Sequence, residues 1–235
     1  MWSSLVNGLM FAIAVLLGAA CVRLFRDKPV SSPPDQLAPA EIALAGTCVV
    51  LNSLVMWFGW LAFRAGVLVV LADASALRVV GDALWLLLVM DFAMYLTHRL
   101  AHHPLAFRYV HGVHHRYERV RPLTLFALHP LEVLGFGGLW ISVLLIHDCS
   151  LGGLLLYLSL NTAFGVVGHT GVEPVPSWLR ALPIIDRIGS STFHARHHLA
   201  PRTNFGFYTN VWDRLFGTLE APGHGDARRA KSSRP

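Results

Sequence analysis

Eight of the chain's thirteen histidines fall into three short clusters. They read His98-Arg99-Leu100-Ala101-His102, His111-Gly112-Val113-His114-His115 and His194-Ala195-Arg196-His197-His198. Neutral imidazole is a common ligand for iron, zinc, copper and nickel. Residues at i, i+3 and i+4 lie on one face of a helix, so each cluster can aim two or three ring nitrogens at one point. Helical neighbours such as His114 and His115 diverge by about 100°, so they can serve two different ions. A single ion takes about four to six ligands, so three clusters suit a two-metal site better.

Other residues are graded against this core. His103 continues the first cluster but points elsewhere. An isolated histidine is more often an ordinary polar residue than a ligand, and His147 and His224 take that reading. His169, in Gly168-His169-Thr170-Gly171, follows an apolar run that returns it beside the clusters, and it joins the ligand set. His129 is either a further ligand or a group behind one. Glu132 can accept a hydrogen bond from a ligating ring, which is how such rings are usually oriented. Asp91 lies seven residues before His98, on the same helical face. An acid inside a membrane helix is a functional candidate by default; its roles are orienting His98 or another ligand, or a boundary salt bridge as the ordinary alternative.

These residues must be held by elements that the composition identifies as membrane helices. The chain has 235 residues, 54% hydrophobic and only 14% charged, with a mean hydropathy of +0.51. Soluble domains carry about 25% charged residues. Apolar runs cover 2–22, 42–63, 83–96, 131–146 and 151–167, the last two near the short limit of about 17 residues for a span. The first run lacks a basic leader, so a retained helix is expected there, not a cleaved signal. If all five runs cross, 17 of the 19 Lys and Arg residues share one side with all three clusters, leaving Arg64 and Arg78 opposite. The positive-inside rule then puts the clusters in the cytoplasm and the N-terminus outside. The net charge of +5 therefore reads as a basic cytoplasmic face and not as nucleic-acid binding. Cys21, Cys48 and Cys149 read as small buried hydrophobes. The expected division is residues 1–82 for the first helices and linker, 83–220 for the histidine domain, and 221–235 for a disordered polar tail.

Several chemistries lack their signature. No GxGxxG opens a strand–helix unit, and Gly135-Phe136-Gly137-Gly138 lies inside an apolar run as a helix-packing patch. No carboxylate stands in the boxes as HExxH zinc hydrolases require. A histidine-rich metal transporter or metal-binding protein is the main rival. Transport sites, however, usually sit near the bilayer midplane, whereas these clusters flank the runs. A di-haem cytochrome would need single, separated histidines within the membrane.

In order, spacing and placement the three boxes resemble those of the fatty acid hydroxylase/sterol desaturase superfamily of membrane di-iron enzymes. Asp91 and Tyr95, the His129-Pro130-Leu131-Glu132 element, Asn204-Phe205-Gly206 and the closing Trp212-Asp213-Arg214-Leu215-Phe216-Gly217-Thr218 extend the likeness over residues 85–220. The resemblance implies an all-α integral membrane helical bundle with a cytoplasmic histidine-lined di-metal cap. It assigns His98, His102, His111, His114, His115, His194, His197 and His198 as ligands, and His169 less directly. It implies two iron ions, with zinc the other metal such a site accepts, and O2-dependent hydroxylation or desaturation of an apolar lipid. Zinc has no redox activity, so oxygen chemistry favours iron. Phe92, Tyr95, Phe126, Phe164 and Phe193 are candidates to line the lipid path. With no nicotinamide, flavin or haem motif, electrons must come from an external reductase or small carrier. Arg108, Arg116, Arg119 and Arg121 offer such a carrier, or anionic lipid headgroups, a basic surface.

Overall fold

The computed structural model describes residues 2–72 and 75–221. The polar tail expected to be disordered, with His224, lies outside the described residues apart from Ala221. Four helices are long and apolar enough to cross a membrane: α1 (Trp2–Leu24), α2 (Pro39–Arg64), α3 (Ala76–Ala101) and α6 (Leu151–Gly168). Between α3 and α6 lie the short α4 (Pro104–Tyr109) and α5 (Pro130–Leu144). After α6 come α7 (Ser177–Arg180), α8 (Ser191–Leu199) and α9 (Val211–Leu215). Two-residue strands β1 (Val70–Leu71) and β2 (Cys149–Ser150) pair in parallel.

Local sequence sets these boundaries. Pro39, Pro104 and Pro130 stand in the first turns of α2, α4 and α5, where a missing N–H costs nothing. Ser75, Ser150 and Ser190 cap α3, α6 and α8 through their hydroxyls. Hydropathy left open whether residues 131–167 span fully or form a partial hairpin, and at 15 residues α5 falls short of a full span. It still forms a hairpin with α6 that runs the depth of α3. Glu132, in its first turn, meets His111, while the far turn meets the start of α3. Gly137 makes α5's close approach to α2, since a Cβ there would lie 2.5 Å from Val55.

The far end is closed by Asp82. Its carboxylate takes Arg78 Nε at 2.9 Å, Ser150 N at 2.7 Å and His147 Nε2 at 3.0 Å, and His147 stacks on Trp85. Cys149 stands close enough to form a metal-type grouping with Asp82 and His147. The Asp82 oxygens are already engaged by three donors, which makes the group a clamp between α3 and the α5–α6 turn.

The opposite end gathers everything else. Lys28 and Val30, after α1, pair with the backbone of Glu173 and Gly171. Glu41, buried near the start of α2, accepts from Thr124 in a 3₁₀ turn at Pro122–Phe126. The end of α3, the start of α5 and the end of α6 complete this assembly. The three histidine clusters thus lie at one end of the bundle, as a same-side topology requires.

Candidate metal centre

His98 projects from the last turn of α3, and His102 caps that helix. The second cluster folds as a 3₁₀ segment, His111–Arg116, and not as the α-helix that its spacing suggests. The third lies on α8, with His169 just beyond α6. Together they place nine imidazoles in two groups. His98, His102, His111, His115 and His197 form one; His114, His169, His194 and His198 form the other. Within each group the ligating nitrogens all lie within 4.8 Å of one another. Metal–nitrogen bonds of about 2.0–2.1 Å bring ligand atoms to comparable separations. His114 and His115 divide between the groups, as do His197 and His198.

Backbone carbonyls decide what these rings can do. A carbonyl or carboxylate oxygen only accepts, so the Nδ1 facing it must carry the proton. His98 Nδ1 donates to Phe205 O at 2.8 Å, His197 Nδ1 to Thr203 O at 2.7 Å, and His169 Nδ1 to Gly165 O at 2.8 Å. His111 Nδ1 donates to the buried Glu132 carboxylate. The opposite nitrogens are then bare. Yet His98 Nε2 lies 3.1 Å from His111 Nε2, which is 3.1 Å from His115 Nε2, itself 3.1 Å from His197 Nε2. In the second group His169 Nε2 lies 3.4 Å from His114 Nε2 and 3.1 Å from His194 Nε2. Between His98 and His111, whose protons both sit on Nδ1, two lone pairs converge with no proton between them, and that arrangement needs a cation. His102 Nε2 is also buried without a hydrogen-bond partner. The residues therefore fit metal ions, one per group.

The protonation states agree. Burial first, and neighbouring imidazoles second, hold His114, His115, His194, His197 and His198 well below the usual histidine range. Burial brings His169 down to about 4. Neutral rings are the ligating form.

Residues 83–218 match the fatty acid hydroxylase family. The chain belongs to this family. Within its superfamily it is 31% identical over 151 residues to the Delta(7)-sterol 5(6)-desaturase of Eremothecium gossypii, covering 63% of this chain and 40% of that protein. It is 31% identical over 129 residues to a C-4 methylsterol oxidase of Schizosaccharomyces pombe, covering 53% and 42%. Against the very-long-chain aldehyde decarbonylase GL1-11 of rice it is 32% identical over 157 residues, covering 66% and 56%. The matched part is thus about two fifths to just over half the length of these relatives. No solved structure matches.

The remaining sequence candidates are placed as follows. Glu132 stands behind His111. His129 belongs to neither group: its Nδ1 accepts from Leu131 N and caps α5. Asp91 bonds no histidine among the described residues; it accepts from Thr209 N (3.0 Å), Thr209 Oγ1 (2.6 Å) and Trp212 Nε1 (3.0 Å). Phe164 and Phe193 line a small cavity with Phe207 and Gly189 that reaches His169 and His194. Phe92, Tyr95 and Phe126 pack instead against Trp212, Phe216 and Phe11. A wider cleft of about 480 Å³ reaches His102 between Leu96, Leu100 and Phe205, with Arg99 and Arg202 on its rim. Arg119 and Arg121 are tied to Asp35 of the linker, and Arg108 stacks on Tyr109.

One support was invisible in the sequence. Asp213 accepts from Phe205 N and Gly206 N, both at 2.8 Å, and from Thr218 Oγ1 at 2.7 Å. It thereby fixes the segment whose Phe205 carbonyl orients His98. A Cβ at Gly206 would collide with the Thr209 carbonyl, so the tight turn needs glycine. The motif's place near the chain's end was legible; its link to His98 was not.

Proposed function

We propose that this chain is an O2-dependent oxidoreductase that hydroxylates or desaturates an apolar lipid at a histidine-ligated di-iron centre. The observation that carries this reading is the convergence of nine imidazoles into two groups at the end of a membrane bundle. His98, His102, His111, His115 and His197 would hold one iron, and His114, His169, His194 and His198 the other. Bound there, the irons would supply the redox chemistry of O2 activation, which zinc lacks.

The chain's own residues do the rest. Glu132 and the carbonyls of Phe205, Thr203 and Gly165 keep the ring protons of His111, His98, His197 and His169 on Nδ1 and their Nε2 free. The cleft floored by Leu96 and Leu100 gives an apolar chain an approach from the lipid side, with Arg99 and Arg202 at the water side. Burial of the rings keeps bulk water from the reacting carbon. The relatives act on sterols or long-chain aldehydes by their names, which supports a lipid substrate.

The basic bias of the histidine end supports a cytoplasmic orientation. An external reductase or small carrier would deliver electrons there, with Arg108 and Arg116 exposed to receive it.

Metal analysis and O2 consumption on protein purified in lipid test this reading. About two irons per chain and reductant-dependent O2 uptake are expected. Bound haem, or metal flux without oxidation, would overturn it. Lipid profiles of cells with and without the chain then identify the substrate.

A further inference from the structure

The chain after α8 goes deeper than its loop-like sequence suggests. The apolar run of α3 ends at Leu96, and Asp91 lies five residues, about 8 Å, further into the bilayer at 1.5 Å per residue. Thr209 and Trp212 reach that depth to bond Asp91. Tyr208 reaches equally far along α6, with its hydroxyl 2.7 Å from both the Tyr157 hydroxyl and Asn161 Oδ1. Irregular backbone at membrane depth must have its polar groups paired. Here the N–H groups of Phe205 and Gly206 go to Asp213, that of Thr209 to Asp91, and that of Asn210 to Arg187 O.

Residues 185–189 are pinned to the outside of this layer. Gly189 N donates to Tyr208 O, Asn210 Nδ2 to Asp186 O, and Arg214 pairs with Asp186 at 2.6 Å. Beyond them the chain presents Trp178 and Ile184, 70% and 79% exposed, together with Leu182 and Ile188. This apolar surface continues through exposed Val211 and Leu215 of α9 and Phe216 just after it to the exposed Phe92 and Leu96 of α3. Phe92 and Trp212 rings join the two at 4.7 Å. Trp beside Arg on an apolar face is the composition of a membrane interface. The Arg187 side chain has no acidic partner among the described residues.

We propose that residues 177–188 dock on the bilayer. Trp178, Leu182 and Ile184 enter the acyl boundary, and Arg187 meets lipid phosphates. The occupant is the lipid surface itself, because the patch is continuous with the lipid-facing flank of a spanning helix. The belt ends at Gly189, on the rim of the cavity that reaches His169 and His194. Docking sets that mouth at lipid level.

Site-directed spin labelling tests this independently of any metal. Ile184→Cys, Leu182→Cys and Arg202→Cys are each made with Cys21→Ala, since Cys48 and Cys149 are buried. The proteins are labelled and placed in nanodiscs of phosphatidylcholine and phosphatidylglycerol. Molecular oxygen should relax labels 184 and 182 more than a water-soluble nickel chelate does, with the order reversed at 202. The proposal falls if the chelate reaches 184 and 182 as readily as 202. It also falls if neither reagent reaches them, which would mean that protein covers the patch.

Discussion

Replacing Glu132 with glutamine tests how the five-histidine group is tuned. Gln retains the length of the side chain and an oxygen to accept from His111 Nδ1, but it removes the negative charge. Glu132 is 7% exposed and stands in the first turn of α5, where the helix dipole favours an anion. Its carboxylate therefore polarises His111 in a nearly dry setting. Loss of such a partner typically weakens metal binding about 10- to 100-fold, or about 1.4–2.7 kcal/mol. Only one group touches Glu132, so the loss should be selective. Purified protein is titrated with a chelator, and retained metal is counted by mass spectrometry. Glu132→Gln should drop from two ions to one at a chelator level that leaves wild type and the exposed control Glu118→Gln loaded. Equal retention in all three proteins, or simultaneous loss of both ions, would refute the argument that Glu132 acts through His111.

Three further outcomes are expected. His194→Ala and His98→Ala should each reduce the metal count by about one while membrane insertion persists, and both should lack turnover in an O2-uptake assay. Metal-free protein should lose stability in acid. His114, His115, His169, His194, His197 and His198 have depressed folded-state pKa values, so the unfolded chain binds more protons below about pH 6.5. Their contribution is complete above that pH and declines as pH falls, by about 1.4 kcal/mol per ring at pH 5.5, which a melting series from pH 8 to 5 would register. Asp91→Ala should cost about 2–5 kcal/mol by stranding the Thr209 and Trp212 donors. Protein that remains folded should keep its metal, because Asp91 touches no ligand; thermal melts with metal analysis separate the two effects.

The histidine spacing made the clusters that converge legible, and hydropathy made the bundle legible, because both are short-range patterns. The division of His114 from His115 followed from helical geometry, even though the segment proved to be 3₁₀. What sequence could not show depends on contacts between distant residues. Asp91 looked like a partner for His98, seven residues on; its real partners are 118 and 121 residues away. The carbonyls that fix the ring protons belong to Phe205, Thr203 and Gly165, and a carbonyl leaves no signature in residue type. The 15-residue α5 was ambiguous for a different reason: its length lies below a span, and only its tie to α3 through the far turn shows how deep it runs.

The paired histidines also constrain how this chain can change. His114-His115 and His197-His198 each send one ring to either histidine group. A point substitution within a doublet subtracts from a single group. Deleting or inserting one residue ahead of it would move one ring into the other's place and carry the second out of the site, so both groups would be disturbed together. The loops around the boxes can vary in composition, but their length is locked to the boxes they carry.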